Sequence, residues 1–354
     1  MNRKYLFPFL IFAFINLVFG MYAGLGRIGW SFPFHESYLH HGAVMVGGFL
    51  GTLISLEKVI PLKKNIFLVV PLMSALSLIL FFTGHFTPAL IMLICSSAGL
   101  VMVYLTYLRR QYDLSMLLMV LSAVFLLIGH VVLFTQRFYP MALPWWMAFL
   151  LFTIVAERLE LSRFLPVSVF KKRLLLFCLA LFITGIIIPF HGPGKYFSGA
   201  ALIGIAIWLM RNDVIRINLK KQNLTKFSGY ALLCGYIALL LVGVFLLVLP
   251  DIAFAYDAIV HTFFLGFSFA MIFAHGPIIL PGVMGSSVKP YHSFLYVPLI
   301  LLMGSLLIRI ASDLYFIPLF WRLISGYISA AAILLYFTTL ITLMVRSFRN
   351  AKIL

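Results

Sequence analysis

The sequence predicts an all-α, polytopic membrane protein, a single domain over 1–354 with twelve transmembrane helices and both ends in the cytoplasm. Three observations carry this. Apolar residues make up 64% of the chain and charged residues 10%, against about 45–50% and about 25% in soluble globular domains. Mean hydropathy is +1.12. The apolar runs also recur near the roughly 20 residues that one bilayer crossing needs, with short polar or Pro/Gly stretches between them.

The runs are 5–26, 38–58, 64–84, 87–108, 114–136, 141–159, 173–190, 196–211, 228–249, 254–280, 292–312 and 317–346. The eighth is short and the last long. The tenth is expected to break at His275-Gly276-Pro277, because proline removes a helix donor. Loop charges test the count. With the N-terminus in the cytoplasm, 21 Lys/Arg fall on cytoplasmic segments and 5 (Arg27, Arg137, Lys195, Arg309, Arg322) on the outer side. That asymmetry alternates correctly at every loop. It also accounts for the formal charge of +17 without nucleic acid. Asn2-Arg3-Lys4 before an apolar run also resembles a signal peptide, but the alternation works with that helix retained. Cys95, Cys178 and Cys234 lie inside apolar runs with no CxxC, and read as packed thiols. The longest polar stretch, 211–226, is a basic loop suited to anionic headgroups.

Polar residues inside a bilayer are costly and mark function, so the nine histidines are where the chemistry is sought. His35, His85 and His191 fall in outer loops, and His275 and His292 at the cytoplasmic end. The other four lie in outer helix segments: His40 and His41 on helix 2, His130 on helix 5 and His261 on helix 10. Counted from the outer helix ends, His41 is ~5 Å deep, His130 ~9 Å and His261 ~10 Å. Three helices thus bring imidazoles to one layer. Imidazole is an axial ligand for heme iron, and two from facing helices would make a b-type site.

Such a site needs room for the macrocycle. Gly47, Gly48 and Gly51 leave one face of helix 2 without side chains, either as that slot or for close helix packing. Heme propionates need cations. Arg309, inside the apolar run of helix 11, could pair with them, snorkel, or pair with Asp313 four residues on. Arg27, Trp30 and Arg322 are weaker outer-side candidates. Asp257 is one turn from His261, placed to orient its ring or simply to sit solvated near a helix start.

Two motifs carry a resemblance. His41-Gly42-Ala43-Val44-Met45 resembles the His-Gly-x-x-Met of heme-copper oxidase subunit I, whose helix 2 histidine ligates the low-spin heme. His261 with Leu265-Gly266 resembles the helix 10 segment bearing the opposite ligand, and Arg309 its propionate-binding arginines. The resemblance implies a similar bundle, but the oxygen-reducing centre is missing: Ile259 stands where a further histidine is needed, helix 6 has none, and helix 7 ends at a lone His191. The chain also resembles the NnrS family, twelve-helix heme proteins of nitric oxide response. His261 to Gly266 is similar to its His-Ala-x-x-x-Gly, and Leu301 to Asp313 to its eleventh helix. His35-Glu36 resembles its His-Glu pair at a different spacing, and its Gly-His-Thr-Gly-Arg stretch is absent.

The expectation is a divergent NnrS-like protein of a bacterial or archaeal inner membrane. It holds heme b between His41 and His261, with His130 leaving room for copper. Its partners would be the bilayer, a membrane or periplasmic redox partner, and a diatomic gas. Its role would be electron transfer or nitric oxide response. The rivals are a twelve-helix secondary transporter and an assembly factor of a respiratory complex. His275 is ~21 Å along the helix from His261, too far to share its iron, though it could join His292 at a second site. Glu157 to Arg163 and Glu57-Lys58 read as interfacial ion pairs or as a proton entry point. No phosphate loop, nucleophile elbow or metalloprotease pattern is present.

Overall fold

The computed structural model describes residues 6–30, 35–163, 165, 167–284, 288–315 and 318–350. Among them there is no strand. The long helices are α1 (Phe7–Arg27), α2 (Ser37–Leu62), α3 (Asn65–Phe82), α4 (Phe86–Arg110), α5 (Leu114–Gln136) and α6 (Tyr139–Leu161). They continue as α7 (Val169–Ile187), α8 (Gly194–Asn212), α9 (Asn223–Val248), α10 (Ala253–Met284), α11 (Ser293–Leu314) and α12 (Leu319–Asn350). Ten are long and apolar enough to cross a membrane. The two outside that set, α7 and α8, are 19 residues each. Lys171, Lys172 and Arg173 crowd the first turns of α7, and Lys195 and Arg211 sit near the ends of α8.

The chain divides into two compact units. The first comprises Met1–Glu157 with Val283–Gly285, and the second Arg158–Gly282 with Ser286–Leu354. Within each, helices adjacent in sequence pack as neighbours: α1 on α2 and α3 on α4 on α5 in the first, α7 on α8 on α9 and α11 on α12 in the second. Large apolar side chains stand on the outside, among them Ile66 (73% exposed), Phe177 (62%), Ile300 (67%) and Leu307 (62%). Water penalises such a surface and a bilayer does not, so the exterior is consistent with contact with lipid.

Two of these helices contain π-helical stretches. In α2, Val44–Leu50 is π-helical. The carbonyls of this stretch are served by hydroxyls: Ser74 donates to Gly47 and Thr52 to Gly48. In α10 the π segment is Thr262–Phe269, with Ser268 Oγ donating to the Phe263 carbonyl at 3.3 Å. Single π turns inside α-helices mark functional sites disproportionately.

The break expected at His275-Gly276-Pro277 does not occur, since α10 runs through Pro277 and Pro281. The reason is local. Pro277 has no N–H for the carbonyl of Phe273, four residues back. The Tyr336 hydroxyl of α12 donates to that carbonyl at 3.0 Å instead. Gly276 admits it, because a Cβ there would run into Tyr336 Oη, and the Tyr336 and Phe273 rings stack at 3.8 Å. Tyr336→Phe should therefore leave a buried carbonyl unpaired and cost about 1–3 kcal/mol, read by unfolding in mixed micelles. Adding Pro277→Ala, which restores an N–H, should recover most of the loss. A double variant no better than Tyr336→Phe alone would refute the account.

Candidate functional site

Of the two histidines expected to hold heme, His41 lies in the first unit and His261 in the second. In the first, His41 opens the helical turn just before the π segment of α2. Its Nδ1 lies 2.7 Å from the Gly20 carbonyl of α1. The ring packs onto Gly24, where a Cβ would sit 2.8 Å from Cε1 and 2.9 Å from Nδ1. Gly20 and Gly24 form a small-xxx-small pair that lets helices approach closely, a spacing legible in the sequence. His40 turns away, with Nδ1 3.0 Å from the Tyr139 hydroxyl and its ring stacked on Phe86 at 4.2 Å.

Gly47 and Gly48 take the packing role. A Cβ on Gly47 would lie 2.7 Å from Leu93 Cδ1 and 3.0 Å from His130 Nε2, and one on Gly48 would run into Asn16 Oδ1. A Cβ on Gly51 would meet Ser74 Oγ at 2.7 Å. Neighbouring helices of the same unit therefore fill the face read above as a slot. His130 is 1% exposed, and its Nδ1 lies 3.3 Å from Ser97 Oγ, bridging α5 and α4. Its Nε2 and the nearby Trp146 Nε1 have no hydrogen-bond partner among the described residues. No group of three or more His, Cys, Asp or Glu there is arranged to hold a metal.

In the second unit, His261 stands directly before the π segment of α10. Its Nδ1 lies 3.0 Å from the Asp257 carbonyl oxygen and 3.3 Å from Asp257 Oδ1. Of the two roles open for Asp257, this geometry matches the orienting one. Arg309 of α11 donates to the same carboxylate through Nε (2.8 Å) and Nη2 (3.1 Å). Its counterion is thus Asp257, a partner on another helix, where the sequence offered a propionate, water or Asp313. Arg322 of α12 completes the cluster, 3.1 Å from Asp257 and 3.4 Å from Asp313. Asp257 and Arg309 are 17% and 7% exposed at their side chains, and ions that sheltered persist only when paired.

The remaining sequence candidates are engaged locally. His275 Nδ1 lies 2.6 Å from the Met271 carbonyl and Nε2 meets Arg158 Nη2. His292 accepts from the Phe294 N–H at 3.1 Å, so neither shows an arrangement for a second metal. Arg158 is 3% exposed and pairs with Asp213, which also accepts from Tyr236 (2.6 Å) and Ser162 (2.8 Å). Asp213, 55 positions from Arg158, becomes its partner only through packing. The side chains of His35 and Glu36 lie outside the described residues, as do Arg3, Lys4 and Lys352.

A family model described as Domain of unknown function (DUF8744) matches residues 6–345. No curated protein and no solved structure matches the chain.

Proposed function

The chain belongs to the DUF8744 family, and we propose that it is a membrane hemoprotein in which the imidazoles of His41 and His261 would hold a b-type heme. In this reading α7 and α8 also cross the bilayer, giving twelve crossings with both ends on the cytoplasmic side. The observation that carries the proposal is the anchoring of both rings. Each has its Nδ1 on an oxygen acceptor, Gly20 O for His41 and Asp257 for His261. Ligation then falls to Nε2. An anchored second nitrogen is the usual arrangement of a metal-ligating histidine, fixing its tautomer and ring plane. Each ring also adjoins a π segment.

The donor set, two imidazoles anchored through Nδ1, fits residues that would hold a heme iron. The glycines of α2 do not support a slot, and the Nε and Nη2 of Arg309 are taken by Asp257, so the residues' support ends at the imidazoles. Bound there, a heme would supply a one-electron iron couple. The chain's own part is to hold the imidazole planes and to keep each Nδ1 protonated toward its acceptor. The activity proposed is electron transfer or the sensing of nitric oxide or another diatomic gas, with a redox partner in or at the membrane. Among the described residues, no group of three or more His, Cys, Asp or Glu stands with His130 to hold copper.

The test is a reduced-minus-oxidised visible spectrum with a pyridine hemochrome assay on full-length protein, purified in detergent after heme-replete expression. The expected result is about one b heme per chain, lost in both His41→Ala and His261→Ala and kept in His85→Ala. Colourless wild-type protein would sink the proposal and leave the buried ion pairs of α10 to α12 to be tested by vesicle flux, as in a transporter.

A further inference from the structure

The first turns of α7, within the second unit, gather three cations. Lys171, Lys172 and Arg173 are exposed, and none of them stands in an ion pair among the described residues. Between positions 163 and 226 the one carboxylate is Asp213, whose side chain is buried and paired with Arg158. The turn that carries the cations is fixed from both sides. Ser168 Oγ accepts from the Lys171 N–H at 3.4 Å and starts the helix. Trp208 of α8 donates through Nε1 to the Lys171 carbonyl at 2.7 Å, tying the end of α8 to the start of α7.

The same turns open an apolar stripe. Phe170, Leu174 and Phe177 are 75%, 45% and 62% exposed. At about 100° per residue they fall within about 60° of one another around the helix. Lys171 and Arg173 flank the stripe, about 100° and about 60° to either side of Phe170, and Lys172 falls on the opposite face. Leu174 and Phe177 lie ~5 and ~9 Å further along the axis than Lys171. Two cations at the head of an apolar stripe are the complement of an anionic amphiphile. A free anion would meet the cations and leave the stripe uncovered, and a neutral lipid would cover the stripe and leave the cations uncompensated. Long cationic side chains lie along apolar surface with their heads at the interface, and cations beside a membrane span attract acidic lipid. We propose that Lys171 and Arg173, with Phe170, Leu174 and Phe177, bind one anionic phospholipid, its phosphate between the two cations and an acyl chain along the stripe. Trp208 is a positioning residue, because it holds the turn that carries Lys171. The inference takes from the reading above only that α7 crosses the bilayer, and it does not involve heme.

The experiment is native mass spectrometry of the full chain, delipidated in detergent and titrated with phosphatidylglycerol or with phosphatidylcholine of the same acyl chains. One phosphatidylglycerol adduct is expected to saturate first, at concentrations where phosphatidylcholine gives none. Lys171→Gln with Arg173→Gln should weaken it about thirtyfold, the loss of two surface cations. Lys172→Gln removes the same kind of charge from the other face and should leave the adduct in place. Trp208→Phe should weaken the phosphatidylglycerol adduct and leave unchanged any phosphatidylcholine adduct formed at higher concentration, whereas a general loosening of the fold would change both. Phosphatidylcholine binding as well as phosphatidylglycerol, an adduct untouched in the double variant, an equal loss in Lys172→Gln, or displacement of the lipid by inorganic phosphate would overturn the proposal. A colourless protein that keeps the adduct would end the heme reading and leave this site standing.

Discussion

Arg309→Met is expected to destabilise the protein by about 3–5 kcal/mol, and Asp257→Asn by a similar amount. Each removes one partner of a sheltered ion pair held by two hydrogen bonds, at 2.8 and 3.1 Å, and leaves the other charge uncompensated. The loss in Arg309→Met should fall toward the lower figure, because Arg322 stays 3.1 Å from Asp257. The double variant removes both charges, so it should cost well under the sum of the singles. A coupling of more than about 1 kcal/mol is expected for groups in direct contact. Unfolding of the four proteins in mixed micelles measures it. Strict additivity would mean that the two residues act independently and that the pairing contributes nothing to the fold.

That pair shows where sequence reading stopped. Arg309 in an apolar run announced that it needed a partner, and the sequence offered the residue four positions on, because helical spacing is the only geometry one segment contains. Asp257 is 52 positions away and becomes the partner only when α10 and α11 pack. Asp257 beside His261 lies on one helix, and there the spacing sufficed. The Lys58–Glu157 contact, at 3.0 Å, repeats the lesson: both residues were noted as charged helix ends, and only the packing of α2 with α6 joins them.

The helices themselves were legible, because a crossing is written in composition and length. The π segments were not. One extra residue turns every later side chain by about 100°, which shows in a sequence only where an apolar stripe alternates with a polar one. Val44–Leu50 has no polar side chain and Thr262–Phe269 only the hydroxyls of Thr262 and Ser268, so no charged stripe exists to slip. The continuity of α10 through Pro277 was misjudged for a different reason: the missing donor is replaced by Tyr336, 63 positions from the carbonyl it serves.

Gly24→Ala is expected to act directly on His41. The new Cβ would sit 2.8 Å from Cε1 and 2.9 Å from Nδ1, closer than real Cβ contacts come. The ring cannot retreat and keep its 2.7 Å contact with the Gly20 carbonyl. The overpacking should cost about 1–3 kcal/mol, and the displaced ring should release heme in step if His41 ligates it. Gly304→Ala on α11 is the matched control. A Cβ there meets nothing within 4 Å, and a helix-interior glycine replaced by alanine gains up to about 1 kcal/mol. The two variants make the same chemical change in two long helices, so a difference between them measures the contact with His41 rather than helix propensity. If Gly24→Ala were as stable as Gly304→Ala, the ring would not be held where α1 and α2 place it. If Gly24→Ala lost stability but kept full heme, the packing would stand and the ligand role of His41 would fall.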